Sequence, residues 1–158
     1  MKRQIISNKF LFEIEQRIKG ELEAESMYRQ LSSSMQNLGF LGASNYFLKE
    51  AENEVTHFKK LVDFCQALGG NPEISFNVQN IVVNSLQEAF EVSFNAELNL
   101  LEEYSKLSRL AGFEEPSVLE LSQWFVKEQV SAVGEYNDLL AKLEITKEPL
   151  LIDNSLWD

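Results

Sequence analysis

Residues 49–58 read Lys49-Glu50-Ala51-Glu52-Asn53-Glu54-Val55-Thr56-His57-Phe58, and they hold the chain's single histidine. Glu54 stands three residues before it. Side chains three apart share one face of a helix, so both would point toward the same neighbour. A carboxylate and an imidazole placed this way can hold one transition-metal ion, and the carboxylate has a second oxygen for another. An isolated Glu-x-x-His is short and common, and alone it reads as a solvated acid beside a surface histidine. What the other helices place at the same height decides between the two.

The whole chain, residues 1–158, is the length of one domain with a sizeable core. With 44% apolar and 25% charged residues it has an ordinary globular composition. Its 25 acidic against 14 basic side chains give a net charge of −11. That balance disfavours nucleic acid and anionic membrane as partners and suits a protein that attracts cations. No apolar run approaches membrane-spanning length, and the N-terminus carries no visible export signal. Cys65 is alone, which excludes an intrachain disulfide and a CxxC metal knuckle. A reducing, cytoplasmic setting fits.

Prolines and glycines cluster where helices should end. Four long helices are expected, over about 7–37, 43–68, 85–110 and 117–143, with a tail at 144–158. Ser85 with Glu88, and Ser117 with Glu120, are capping-box signatures for the third and fourth. Nothing reads as a strand pair, so the fold class is all-α, a four-helix bundle. Short turns make the first two and the last two helices antiparallel neighbours. The sixteen residues between Leu68 and Ser85 reach roughly 50 Å when extended. The helix they must pass measures about 39 Å, so a long crossover leaves the second and third helices parallel. Its Ile74, Phe76, Val78, Ile81, Val82 and Val83 should pack on the bundle or on a partner subunit.

Each helix carries an apolar stripe with one polar interruption. Glu21 interrupts Ile14, Ile18, Tyr28, Leu31 and Met35. Glu54 does so among Phe47, Ala51, Phe58, Leu61, Cys65 and Leu68. On the third helix Glu97 lies among Leu86, Phe90, Phe94, Leu101 and Tyr104. On the fourth, Gln129 lies among Val118, Leu121, Phe125, Ala132, Tyr136, Leu139 and Leu143. The midpoint of Glu21 and Glu54 falls at the Leu38-Gly39 turn, and that of Glu97 and Gln129 at Phe113, so each pair lies level. Three carboxylates in an apolar interior would suffer several kcal/mol of desolvation per ion. With no buried Lys or Arg on these stripes, a pair of divalent metal ions is the economical counter-charge. Tyr28 reads as a core tyrosine or as a phenol bonded to a metal-ligating carboxylate. Glu25 reads as a solvated edge residue, Trp124 as core or interface, and Glu50 and Glu128 as solvated or cavity-facing acids beside the cluster.

These residues resemble the non-haem ferritins over nearly the whole chain. The matching pieces are Glu21 with Met27-Tyr28-Arg29-Gln30-Leu31-Ser32, then Gly39-Phe40-Leu41-Gly42-Ala43 and Glu54-Val55-Thr56-His57. Glu97 and Gln123-Trp124-Phe125-Val126-Lys127-Glu128-Gln129-Val130 complete them. Glutamates and Glu-x-x-His on facing helices are the known pattern of ferritin-like bundles, so that arrangement is part of the resemblance and not separate support for it. The resemblance implies a ferroxidase centre, with one iron held by Glu21, Glu54 and His57 and the other by Glu54, Glu97 and Gln129. It implies that two Fe(II) bind side by side, that dioxygen takes one electron from each, and that ferric mineral collects inside a homo-oligomeric shell of twenty-four subunits. Peroxide would be the by-product. Helix four offers Gln129 and no second Glu-x-x-His, which is similar to the catalytic animal subunits. Val55 stands where a bacterioferritin carries its haem-ligating methionine, so no haem is expected.

Three departures stand out. Ser131 and Ala132 occupy positions where many bacterial ferritins place acids of a third iron site. Asn53, Thr56 and Lys59 replace acids that line the inner surface of animal catalytic chains. The tail Leu150-Leu151-Ile152-Asp153-Asn154-Ser155-Leu156-Trp157-Asp158 resembles the start of the family's short fifth helix and then stops. The alternatives are a non-mineralising di-iron oxidase acting on a small molecule and a metal-binding helical assembly protein.

Overall fold

A computed structural model of the chain describes residues 1–157. Five helices follow one another: α1 (Asn8–Leu38), α2 (Leu41–Ala67), α3 (Leu86–Ala111), α4 (Pro116–Thr146) and α5 (Pro149–Ser155). No strand occurs among the described residues. α1 packs along α2 and α3 along α4, and the two hairpins meet through α1 and α3. Among the described residues no helix is long and apolar enough to cross a membrane.

The helix ends show why the chain stops where it does. Ser7 opens α1 by accepting from the Phe10 amide at 3.2 Å. Gly39 closes it at φ 88°, a left-handed conformation that glycine adopts without a Cβ penalty. Ser85 accepts from the Glu88 amide at 3.0 Å, while the Glu88 carboxylate accepts from the Asn84 amide at 2.8 Å. That is the reciprocal pattern of a capping box, shifted by one residue at its return bond. The box expected at Ser117 and Glu120 is not formed. α4 begins one residue earlier, with Pro116 in its first turn and no side-chain cap from Glu115. Proline's preset φ and missing N–H suit that position without a cap.

α2 has no capping side chain of its own. Its Ala43 amide instead donates to the Asp153 carboxylate of α5 at 2.7 Å. The approach is so close that a Cβ on Gly42 would lie 2.1 Å from the Asp153 carbonyl oxygen. The tail therefore continues into a fifth helix seated on the α1–α2 turn. α4 also runs past the expected boundary, to Thr146, before Lys147 breaks it at φ 54°.

The crossover climbs α1 on a ladder of side-chain bonds. Glu15 and Glu23 accept from the Glu73 and Asn77 amides. Gln30 donates to the Gln79 carbonyl and accepts from the Ile81 amide, and Ser34 accepts from the Val83 amide. The contacts ascend α1 in order, which returns the chain to the end where α2 began and makes α3 parallel to α2. Backbone groups of an irregular segment need such partners when they lie against a bundle. Of the six aliphatic and aromatic side chains expected to pack, Val83 is buried and Ile81 half-buried, while Ile74, Phe76, Val78 and Val82 are exposed.

Two apolar clusters fill the interior. One, toward the α1–α2 turn, contains Leu31, Met35, Phe47, Phe90, Tyr136 and Leu139. The other, toward the opposite end, contains Ile14, Ile18, Leu61, Tyr104, Leu107 and Phe125. Each such side chain contributes roughly 1.5–3 kcal/mol by leaving water. Between the clusters lies a polar layer.

Candidate metal centre

Glu21, Glu54, His57, Glu97 and Gln129 are all buried, each at most 4% exposed. Glu21, Glu54 and His57 come together with one ligand atom apiece, all within 4.8 Å of one another. His57 Nδ1 lies 3.5 Å from Glu21 Oε2 and 3.7 Å from Glu54 Oε2. These three atoms have no hydrogen-bond partner. Buried polar atoms are almost always paired, and leaving one unpaired costs about 1–3 kcal/mol. Three converging orphans, two of them carboxylate oxygens, are the chemistry of a cation site.

Glu97 is differently placed. Its Oε1 accepts from the Tyr28 hydroxyl at 2.5 Å and its Oε2 from Gln129 Nε2 at 2.5 Å, with Gln129 also 3.3 Å from the Glu97 carbonyl. The Tyr104 hydroxyl donates to Glu21 Oε1 at 2.5 Å. Each hairpin thus lends a tyrosine to the other's glutamate. Tyr28 follows Glu21 by seven residues and Tyr104 follows Glu97 by seven. Sequence reasoning placed Tyr104 on the apolar stripe but missed its bond to Glu21; the repeated spacing was the available signal.

Burial raises the Glu54 carboxyl well above its ordinary range, and the charges of Glu21, Glu97 and Glu50 add to it. Glu97 is also raised, chiefly by burial, against the pull of its bonds from Tyr28 and Gln129. For Glu21 burial acts upward too, but the closeness of Glu54 and His57 and the bond from Tyr104 outweigh it and the carboxyl is lowered. Burial would lower His57, yet Glu21, Glu128 and Glu97 together raise it. Without a metal the cluster therefore favours a proton on Glu54 over one on Glu21. A divalent cation would replace that proton, because ligating carboxylates and imidazoles bind deprotonated.

The neighbours refine the sequence reading. Trp124 is 38% exposed and meets His57 edge-on, with Lys60 above its ring. Glu25 pairs with Arg29 at 3.1 Å on the surface. Glu50 is half-buried, and its carboxyl is pushed up to about 7 by burial, Glu135 and Glu97. Glu128 is half-buried and acts on His57. A buried cation does exist: Arg17 is 4% exposed. It lies off the inward stripe and is spent elsewhere, on Glu13 at 2.6 Å and on the Glu103 carbonyl at 2.7 Å. The carboxylate layer has no arginine of its own.

A bundle of two antiparallel hairpins joined by a long crossover, with glutamates and one Glu-x-x-His facing inward at its middle, defines the ferritin-like proteins. The sequence profile of the ferritin-like domain matches residues 13–146, and the chain belongs to the ferritin family. It is similar to a bacterial non-heme ferritin of Escherichia coli, at 25% identity over 79% of this chain and 77% of that one. A probable bacterial non-heme ferritin-like protein of Haemophilus influenzae is 28% identical over 86% of each. An open pore ferritin from Archaeoglobus fulgidus superposes with a TM-score of 0.89 at 25% identity, covering 96% of this chain and 97% of that one.

Proposed function

We propose that this protein stores iron, oxidising Fe(II) with dioxygen at the buried centre and collecting ferric product inside a shell of its own copies. The observation that carries this reading is the convergence of unpartnered Glu21 Oε2, Glu54 Oε2 and His57 Nδ1 inside an apolar bundle. Iron is the substrate here, and the ligands have separate tasks. Glu21, Glu54 and His57 take one ion. Glu54, reached by both hairpins, offers its other oxygen to a second ion held with Glu97 and Gln129. Imidazole and carboxylates together suit Fe(II). Tyr28 and Tyr104 hold the carboxylates in orientation, as outer partners of metal ligands do. Gln129 adds no charge, so the second ion is held less tightly and the oxidised product leaves from that side.

A small-molecule oxidase would need an open pocket at the metals. All five ligands are buried, each at most 4% exposed, so none opens onto the surface of this chain. Membership of the ferritin family and the acidic, cation-attracting composition favour storage instead.

The test is aerobic loading of metal-free protein with excess Fe(II), followed by a sizing column read for protein and iron together. Iron eluting with a shell-sized particle is the expected result. Oxidation by a small species, with iron precipitating, would keep the catalytic centre and remove storage. An absence of oxidation would remove both.

A further inference from the structure

Arg17 is buried, at 4% exposure, yet it is no part of the ligand set. It stands four residues before Glu21 on α1. One arm, Nη1, donates to the Glu13 carbonyl and carboxylate of its own helix at 3.0 and 2.6 Å. The other, Nη2, crosses to α3 and donates to the Glu103 carbonyl at 2.7 Å, with the Glu103 carboxylate at 3.5 Å. Its Nε has no partner. Burying a guanidinium is expensive, and a carbonyl inside a helix does not call for one. The residue that follows the gripped carbonyl is Tyr104, whose hydroxyl donates to Glu21 Oε1 at 2.5 Å. Burial and the charge of Glu21 raise the Tyr104 phenol well above its usual range, and Arg17 is close enough to pull the other way. The two helices nearly touch beside this pair, where a Cβ on Gly20 would lie 3.2 Å from Leu100 Cδ2.

We propose that Arg17 is a positioning residue for the first metal ion, fixing α3 against α1 so that the Tyr104 hydroxyl meets Glu21. The proposal rests on the metal-centre reading above. The contacts run from Arg17 to the Glu103 carbonyl, along one residue of α3 backbone to Tyr104, and from its hydroxyl to Glu21. Glu21 is thereby held at Oε1, which leaves Oε2 turned toward His57 Nδ1 at 3.5 Å. A hydrogen bond tolerates a few tenths of an ångström, whereas sliding a helix by one residue moves it about 1.5 Å. A slip of half that length would part the phenol from the carboxylate and free Glu21 to rotate. The planar fork of an arginine suits this task, because it grips both helices at once with little freedom left in the bound state. A lysine would offer a single point charge on a flexible stem.

Co(II) titration of metal-free protein, followed by visible absorption, reads the first site without iron chemistry. Arg17→Met should weaken the first ion bound about tenfold, the scale on which an outer partner acts, and shift its band toward that of Tyr104→Phe. Removing the arginine strands no buried charge, since the Glu13 and Glu103 side chains are 24% and 46% exposed. Arg17→Lys keeps the charge without the fork and should do the same; it also carries the test if Arg17→Met does not fold. A double variant separates positioning from general support. Adding Arg17→Met to Tyr104→Phe should weaken binding no further, because the arginine acts through the phenol. Wild-type affinity in either Arg17 variant, or losses that simply add in the double variant, would overturn the proposal. A second measurement needs no metal. With ring-labelled tyrosine in metal-free protein, the infrared C–O stretch that Tyr104→Phe removes should move in Arg17→Lys, and an unmoved band would also overturn it. A wild-type Co(II) spectrum untouched by His57→Ala would instead sink the metal-centre reading, while a shifted infrared band would leave the hold of Arg17 on Tyr104 standing.

Discussion

Glu21 and Glu97 occupy matching places in the two hairpins, yet the halves around them differ. On the α1/α2 side Glu21 Oε2, Glu54 Oε2 and His57 Nδ1 converge without partners. On the α3/α4 side both oxygens of Glu97 are already bonded, to Tyr28 and Gln129. The difference comes from one residue type. An amide carries N–H donors that satisfy a carboxylate without any metal, whereas His57 Nδ1, at 3.5 and 3.7 Å, is too far from either acid to do so. One half is therefore a cation trap that is costly when empty of charge, and the other is a closed network that must open to take an ion. The first divalent ion should enter on the α1/α2 side.

Removing the trap should have the largest effect. Glu54→Ala or His57→Ala should slow initial Fe(II) oxidation by roughly 10²-fold or more, the scale on which positioned electrostatic groups act. Stopped-flow absorbance on protein of unchanged helical content measures it, and wild-type rates would remove the centre as drawn. The tyrosines separate the halves next. Tyr104→Phe frees Glu21 to rotate and should weaken the first Co(II) bound about tenfold, the lower end of such outer-partner effects. Tyr28→Phe should leave that first ion alone and alter only the second. A titration in which both variants behave alike would break the distinction between the halves.

Gln129→Glu replaces the amide donor by an acid facing Glu97. Metal-free protein should lose about 1.5–3 kcal/mol of stability at neutral pH, the scale of a lost hydrogen bond to a charged group. Denaturant unfolding reads this directly, and diferric product should also leave the site more slowly. Product that clears at the wild-type rate would show that the neutral amide has no part in release.

The smallest effect is a slope with pH. Glu54 and Glu97 are raised, and Glu50 reaches about 7, so the folded state holds protons that the unfolded state has lost. Stability then falls as pH rises from the ordinary carboxyl range through those values. His57, also raised, acts in the same direction, its contribution lost above its folded value. Glu21, lowered, contributes in the opposite sense and only at acid pH. The melting temperature of metal-free protein should therefore decline between about pH 5 and pH 8. Zn(II) should release protons on binding and remove the slope. A flat profile without metal would mean that the carboxylates are hydrated rather than buried.

Much of the bundle was legible in residue spacing. A strict three-and-four apolar stripe can be satisfied only on a helix, so Glu21, Glu54, Glu97 and Gln129 inherit their inward direction from their neighbours. Level heights followed from short turns, because a tight hairpin leaves no freedom to slide one helix past the other. Expectations that depended on local competition did less well. The Ser117 box lost to Pro116, and α4 runs on to Thr146, because a cap is worth only about 1 kcal/mol and local competition decides the terminus.

Residue order alone thus specifies which polar side chains face the core and their common level. Which atoms meet depends on how the helices pack. The repeated spacing of seven marks Tyr28 and Tyr104 as counterparts, but their exchange between hairpins follows from the rotation of two helix pairs against each other. The same holds for Asp153 seated on Gly42 and Ala43. These contacts join residues far apart in the chain, and periodicity is silent about partners on another element.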